Sequence, residues 1–492
     1  MDHDPPPNPA PGGAHTASDP LAAWLVAFGV RWVFAVRGEG IEPLWTALSG
    51  ITDLSLVACQ NEAGAAYCAS EASLATEAPV AVLLADPSAL ERAHPGLCAA
   101  RREGARVIVL SGRPFAGSAL CAAADLDVSV HDSGALPGLL QRIELGRGRD
   151  SGFVAHLALS SPVLRERAEL VRTPVQVHRA EPDPRVLADL ARRLRSRRCA
   201  LVAGFGARGC HREVRALAEA LSAPVLVTAH AKGVFPDGHP LHAGVLGIDG
   251  ALRTRPETLL LIGSPHIDAD AGILQGCDVV AVPAELPAGT LQPRALDLVS
   301  GSVRSVVTGL LDRLPRGREA EIEVRSLPLP APSRRISHAA LMASVQRVCV
   351  ERSAARLMAG PGPAADLAVR HLSLGTPRLR VGTGPLGTGA VGAALATGSR
   401  VVALVGDGGM HEQELLTAAR HGAATTWLVM NETVHPSVDY AAWAEAQGVP
   451  GRTLWSDLDL DDALRNTLEG GGPRLLDLRM DPDGRAALSA AS

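Results

Sequence analysis

A chain of 492 residues, 47% hydrophobic and 20% charged, exceeds what one core serves, so two to four globular domains are expected. Its net charge of −5 gives no footprint for nucleic acid, and no apolar run approaches the roughly 20 residues that span a bilayer. The opening MDHDPPPNPAPGGAHTASDP lacks the basic and apolar regions of a secretory signal, and eight scattered cysteines without a CxxC pair indicate neither a disulfide framework nor a zinc site, so a reduced, cytoplasmic protein is the default.

Residues 1–18 read as a disordered tail, and residues 19–170 alternate helical and strand patterns. Leu21 to Phe28 is helical, Trp32 to Val36 is a strand ending at Arg37-Gly38, and Leu54 to Cys59 is a strand running into Gln60-Asn61-Glu62. An Ala-rich helix follows from Glu62 to Ala75, then strands at Val80–Ala85 and Arg106–Ser111. Such alternation argues for a parallel sheet covered by helices on both faces. Residues 171–185 read as an extended linker, and 186–315 as a second, Rossmann-like unit. There the strand Cys199–Gly204, the turn Gly204–Gly209 and the helix His211–Leu221 match GxGxxG. A dinucleotide site also needs an acid ending the next strand, but Pro224–Thr228 ends in Ala229-His230, so a nucleotide-binding oxidoreductase is only a distant alternative. The single lysine, Lys232, lies just beyond, and any Schiff-base chemistry on lysine would have to use it. Residues 316–336 form a charged, then Pro-rich, linker; 337–482 form a third unit, and 483–492 a short tail.

The third unit holds the most informative stretch, Val401 to Pro436. Val401–Val405 suits a buried strand, Gly406-Asp407-Gly408-Gly409 breaks it, Glu412–His421 is helical, and the strand Thr426–Met430 ends at Asn431-Glu432. In a parallel sheet such a Gly-rich turn lies at the carboxyl ends of the strands, where its backbone and the helix N-terminus can approach a phosphate. Asp407 repels a phosphate unless a divalent cation stands between them, and Mg²⁺ is usually held by one or two carboxylates plus phosphate oxygens. The second oxygen ligand should come from the next strand's end, Asn431 or Glu432. The segment therefore reads as a metal–diphosphate site.

These residues, with Gln413-Glu414-Leu415, resemble the thiamine diphosphate signature of the acetolactate synthase, pyruvate oxidase and benzoylformate decarboxylase superfamily. Further pieces resemble it in the same order: GVRWVFAVRGEGIEPLW, NEAGAAYCAS and HPGLCAARREGARVIVLSGRP in the first unit, APVLVTAHAKGVFPDGHPLHAGVLGIDG in the second, and Gly382–Gly389 in the third, which is similar to the family's GGLGTMG loop. The resemblance implies an α/β fold of three doubly wound parallel-sheet domains: pyrimidine-binding, central and diphosphate-binding. It implies thiamine diphosphate and Mg²⁺, with Glu62 as the catalytic glutamate that hydrogen-bonds N1′ of the aminopyrimidine. A carboxyl group activates the cofactor from there if burial raises its pKa toward neutrality. Gly387, Thr388, Gly406, Asp407, Gly408, Gly409 and Asn431 would bind the cofactor, and Asp407, Asn431 and Glu432 the metal. Some members bind FAD in the central domain, but the pattern expected after Gly263 is not evident, so FAD is possible but not predicted.

The implied activity is decarboxylation or carboligation of a 2-oxo acid by a homodimer or homotetramer, its active sites shared between the pyrimidine domain of one subunit and the diphosphate domain of another. Several positions depart from the family. Arg37 replaces a proline, Gln60-Asn61 a histidine, Asp86-Pro87-Ser88 a Gly-Pro-Gly-like turn and Arg113 a glutamine. Gly389 replaces a bulky residue, often Met, that props the cofactor in its bent form; Glu432 replaces an asparagine, and the segment after Pro436 is short. Arg37, Gln60 and Arg113 are candidate contacts for an anionic substrate. The same departures suit an alternative, a non-catalytic or rerouted relative acting as a partner or regulatory protein.

Overall fold

β-Branched runs punctuated by glycine and followed by helices build three separate six-stranded sheets, every described strand pairing being parallel. The computed structural model describes residues 16–112, 123–146, 149, 152–167, 181–263, 276–282, 296–317, 319–322, 335–410, 414–432 and 438–481. The first sheet holds β1 (Trp32–Ala35), β2 (Ser55–Ala58), β3 (Val80–Leu84), β4 (Arg106–Gly112), β5 (Leu126–Val130) and β6 (Phe153–Leu159), in the order β2-β1-β3-β4-β6-β5. Around it lie α1 (Ser18–Phe28), α2 (Glu42–Ser49), α3 (Glu62–Thr76), α4 (Pro87–Glu103), α5 (Leu136–Gly146) and α6 (Ser161–Arg165).

The central unit contains α7 (Pro184–Ser196), β7 (Cys199–Ala203), α8 (His211–Leu221), β8 (Val225–Val227), β9 (His242–Val245), β10 (Thr258–Ile262), β11 (Asp278–Val282), β12 (Leu296–Leu298) and α9 (Val303–Leu311). Its strand order, β12-β11-β10-β7-β8-β9, is that of a doubly wound dinucleotide-binding sheet. At its switch point, the turn after β7 is hydrogen-bonded to the end of β10. The predicted turn is a 3₁₀ helix, Phe205–Cys210, and Gly204 N–H donates to the Ile262 carbonyl and Gly206 N–H to that of Gly263, at 2.8 and 2.9 Å. A Cβ added at Gly263 would stand 2.4 Å from the Ala207 nitrogen, so the turn packs backbone to backbone on the end of β10. The glycines here serve close packing.

The third unit runs α10 (His338–Ser344), β13 (Arg356–Ala359), α11 (Pro363–His371), β14 (Leu379–Val381), α12 (Leu386–Thr397), β15 (Val401–Gly406), α13 (Leu415–His421), β16 (Thr425–Asn431), α14 (Tyr440–Glu445), β17 (Gly451–Leu454), α15 (Leu460–Glu469) and β18 (Arg474–Arg479). Its strand order, β14-β13-β15-β16-β18-β17, repeats the order of the first sheet. Small differences from the sequence reading lie at element ends. Ala17 and Ser18 are buried at the start of α1, α7 begins at Pro184, inside the expected linker, and α13 begins at Leu415 rather than Glu412.

The first and third units are joined by two helices too rich in small residues to have a polar face. Ala65, Ala66, Cys68, Ala69 and Ala72 of α3 and Gly389, Ala390, Gly392 and Ala393 of α12 are all buried, as expected of a helix covered on every side. A Cβ at Gly392 would meet the Cys68 carbonyl oxygen at 2.0 Å. One hydrophobic cluster accordingly runs from Phe34 and Val82 of the first sheet to Val405 and Trp427 of the third.

All three units meet at Arg380 on β14. It donates to both oxygens of Glu71 on α3 at 3.0 Å and lies 3.2 Å from Glu103 on α4. Phe205 of the central unit is flanked by Arg380 and Arg208, 4.8 and 4.1 Å from its ring centre. Burial opposes the charge on Arg380, but Glu71 and Glu103 outweigh it and hold the guanidinium pKa above its ordinary value. Arg208 has weaker compensation, and burial pulls it down to about 10.

Candidate cofactor site

The turn after β15 lies beside the end of β16 because the two strands pair in register, Gly406 opposite Met430. The next residues on each strand are Asp407 and Asn431, so the sheet brings these two together. Among the described residues, added Cβ atoms at Gly406 and Gly408 would meet nothing within 4 Å, and one at Gly409 meets Val405 at 3.1 Å. The turn is thus a bare backbone cradle, and Gly408 N–H donates to Asp407 Oδ1 at 2.7 Å. Asn431 is held from behind. Its amide nitrogen donates to Asp477 Oδ1 on β18 at 2.9 Å and to the Val438 carbonyl at 3.0 Å. Its Oδ1 is buried without a hydrogen-bond partner among the described residues. Burial raises the Asp477 pKa, while Asn431 and Arg479 pull the other way. The Tyr440 hydroxyl donates to the Asp407 carbonyl at 3.0 Å and fixes the turn to α14.

Glu432 is directed elsewhere. Its Oε1 lies 2.9 Å from Nε2 of His338, a fully buried residue on α10. Alternation along a strand explains this, since successive side chains leave on opposite faces and Glu432 cannot share Asn431's direction. No three His, Cys, Asp or Glu side chains converge as a metal cage among the described residues. A Mg²⁺ bridged to a diphosphate needs none, because phosphate oxygens and water complete its shell.

Gly387 and Thr388, in the first turn of α12, face the protein interior. The Trp427 indole N–H donates to the Gly387 carbonyl at 2.9 Å, and the Cys68 thiol lies 3.3 Å from the Thr388 carbonyl oxygen. Gly389 packs on α3, where an added Cβ would stand 2.5 Å from Glu71 Cγ. Its lack of a side chain is set by the α3–α12 contact.

Glu62 opens α3, capped by Asn61, whose side chain accepts from Gly64 N–H at 2.7 Å. The resemblance implies a Glu62 whose pKa is raised by burial; the contact that Glu62 makes here acts in the opposite sense. Arg92 on α4 grips both carboxylate oxygens, Nη2 to Oε1 at 2.6 Å and Nε to Oε2 at 2.9 Å. That contact outweighs burial and holds the pKa below the usual carboxylate range. Arg92 was not singled out in the sequence, because its partner lies 30 residues away on another helix.

A second acid fixes the same helix end. Glu414, fully buried at the start of α13, accepts from the backbone N–H groups of Gln60 and Asn61 at 2.8 and 3.3 Å and from the Thr417 hydroxyl. Burial raises its pKa against those hydrogen bonds. The Gln60 side chain reaches Gln447 at 3.3 Å. Arg37 pairs with Glu42 at 2.8 Å, lies over Trp45, and lines a cleft of about 600 Å³ with Gly38, Gly40, Ser161 and Arg165. Arg113 lies outside the described residues.

Two other clusters read as braces. Ser111, His156 and Asp127 form a line at 2.8 and 2.7 Å across β4, β6 and β5, with the serine 2% exposed and sealed in the core. Lys232 pairs with Asp237 at 3.1 Å, and Asp237 accepts from Leu374 N–H at 2.7 Å, which pins the central unit to the third.

Three family profiles match in the order of the three sheets. They describe the thiamine pyrophosphate enzyme N-terminal TPP binding domain at residues 15–131, its central domain at 187–264 and its C-terminal TPP binding domain at 380–435. The chain belongs to the thiamine pyrophosphate enzyme family. Among thiamine pyrophosphate enzymes it is similar to acetolactate synthase isozyme 1 large subunit of Escherichia coli, 24% identical with 95% of this chain and 94% of that one covered. It is equally similar to YdaP of Bacillus subtilis, named as a thiamine pyrophosphate-containing protein, 24% identical over 94% and 91%. The fold matches that of the thiamine diphosphate-dependent 4-hydroxybenzoylformate decarboxylase of Rhodococcus jostii, at a TM-score of 0.83 and 19% identity over 95% and 100% of the two chains.

Proposed function

We propose that this member of the family is a thiamine diphosphate- and Mg²⁺-dependent enzyme that decarboxylates a 2-oxo acid or transfers the product fragment to a second carbonyl compound. The observation that carries the reading is the pair Asp407–Asn431 at the ends of adjacent strands β15 and β16, beside a cradle without side chains, with the Asn431 Oδ1 buried and unpartnered among the described residues. An amide oxygen left without a donor in the interior is costly unless a ligand completes it. A cation held between Asp407, Asn431 and a diphosphate supplies that ligand, so the residues fit the group.

The cofactor, when bound, supplies the carbanion chemistry at the keto carbon of the substrate. The protein's part is to hold and exclude. Asp407 and Asn431 would hold the metal, the Gly406–Gly409 backbone would hold the diphosphate, and Asp477 and Tyr440 position these groups from behind. Glu62 would accept and return a proton at the aminopyrimidine. From the resemblance to the family, whose sites are shared between the pyrimidine domain of one subunit and the diphosphate domain of another, the working unit is read as a homodimer or homotetramer. The setting is read as cytoplasmic from the scattered cysteines of the sequence, and the seven described cysteines are unbridged. No described helix is long and apolar enough to cross a membrane.

One observation favours the second reading, a relative that has lost activity: the Arg92 grip on Glu62. The two readings separate by assay. Carbon dioxide release is measured with thiamine diphosphate, Mg²⁺ and a panel of aliphatic and aromatic 2-oxo acids. Turnover that disappears in Glu62→Gln while the fold is kept supports the enzyme. Activity unchanged in Glu62→Gln removes Glu62 from its role, and no turnover across the panel by the wild type favours the non-catalytic relative.

A further inference from the structure

Helices α3 and α4 approach closely where Gly96 meets Ala66: a Cβ at Gly96 would stand 2.6 Å from the Ala66 methyl. Both helices follow parallel strands, so the residues one turn toward the N-terminus on each, Arg92 and Glu62, also meet. The glycine contact thereby sets the reach at which the guanidinium fork closes on the carboxylate. The two partners differ in exposure: the Glu62 side chain is 10% exposed and that of Arg92 56%. The guanidinium therefore covers the carboxylate from the solvent side, and both carboxylate oxygens are already in use.

Their freedom to move differs as well. The backbone at the start of α3, from which Glu62 projects, is fixed by the Asn61 cap and by Glu414. Arg92 is a long side chain on an exposed face, with the carboxylates of Asp86 and Glu91 nearby to receive its charge. A group arriving at Glu62 thus meets a carboxylate on an anchored helix end beneath an exposed side chain of opposite charge.

We propose that Arg92 is a latch on Glu62, and that its fork must swing off the carboxylate before the aminopyrimidine of the cofactor engages it. This rests on the reading of Glu62 given above. It makes Arg92 a positioning residue that sets how tightly the cofactor binds. It also accounts for a paired Glu62 in a chain whose diphosphate cradle is intact.

The test is a double-mutant cycle read by calorimetric titration with thiamine diphosphate in Mg²⁺ at neutral pH, using wild type, Arg92→Gln, Glu62→Gln and the double variant, with circular dichroism to verify folding. Arg92→Gln is expected to bind about fivefold tighter than wild type, the discounted value of a two-pronged charged pair with one exposed partner. Glu62→Gln and the double variant are expected to bind alike, since the latch then has nothing to hold. Arg92→Lys, which keeps the charge but not the fork, should fall between wild type and Arg92→Gln, and the same ranking tests the latch if Arg92→Gln fails to fold. Binding by Arg92→Gln but not by wild type supports the latch in its strongest form. Binding by wild type with no gain in a folded Arg92→Gln overturns the latch alone. So does a gain that persists undiminished beside Glu62→Gln. No binding by any variant overturns the latch together with the functional reading.

Discussion

The seam between α3 and α12 makes a prediction of opposite sign from helix propensity. Gly392 lies inside α12, where replacing glycine by alanine ordinarily gains about 1 kcal/mol. Here the new methyl would stand 2.0 Å from the Cys68 carbonyl oxygen and 2.5 Å from its carbon, both backbone atoms that cannot rotate away. The helices would have to part by more than an ångström, loosening Ala65, Ala69 and Ala390 along the seam. Overpacking of this kind costs about 1–3 kcal/mol, with rigid backbone placing Gly392→Ala at the upper end or beyond. After the propensity gain, a net loss of about 2 kcal/mol remains, roughly 30-fold in the folding equilibrium. Gly138 is the control, an exposed glycine in α5 with no described atom within 4 Å of an added Cβ, where alanine should stabilise by up to about 1 kcal/mol. Urea unfolding followed by far-ultraviolet circular dichroism and tryptophan emission reads both. Trp427 reports on the seam, being fully buried and hydrogen-bonded to Gly387. A Gly392→Ala variant as stable as wild type would falsify the close-packed seam.

Gly389→Met, which restores the family's usual residue, should destabilise as well, because it must displace Glu71 from Arg380; a variant of wild-type stability refutes this. Arg380→Gln leaves Glu71 and Glu103 buried without their cation, at a cost of about 3–5 kcal/mol. A urea loss below about 1 kcal/mol would count against that junction. Glu414 sets a pH dependence. Its folded pKa is raised, so the folded state holds that proton more tightly than the unfolded chain does. Its contribution is present below the free glutamate value of about 4.3 and is lost as pH rises through the raised value. Glu414→Gln should flatten the decline of the urea midpoint over this range, leaving the share of Asp477, whose pKa is raised in the same sense. An unchanged slope excludes Glu414 as its source.

Elements were legible where one residue type served one purpose. The β-branched run Val401–Val405 becomes β15, and the helix His211–Leu221 has the bounds its periodicity predicts. The neighbourhood of Asp407 and Asn431 was readable because the Gly406–Gly409 turn and the end of the next strand are local in sequence. What escaped was long-range pairing. Arg92 meets Glu62 across 30 residues, Glu414 meets Gln60 across 354, and Arg380 meets Glu71 across 309, and no local pattern marks such partners. Glycines carry a second meaning in two places. Gly204–Gly209 has the spacing of a dinucleotide loop but packs on Gly263, and Gly389 stands in a cofactor motif but is dictated by a neighbouring helix. In both, the absence of a Cβ serves another stretch of the same chain, which spacing alone cannot distinguish from room for a ligand.

The most direct measurement is calorimetric titration of the protein with thiamine diphosphate, with and without Mg²⁺, in wild type and Asp407→Ala. Saturable binding that requires Mg²⁺ and weakens at least tenfold in Asp407→Ala is the expected result, since that substitution removes the only carboxylate of the Asp407–Asn431 pair. No binding at millimolar cofactor, or binding indifferent to Mg²⁺ and to Asp407, contradicts a metal–diphosphate site at the ends of β15 and β16.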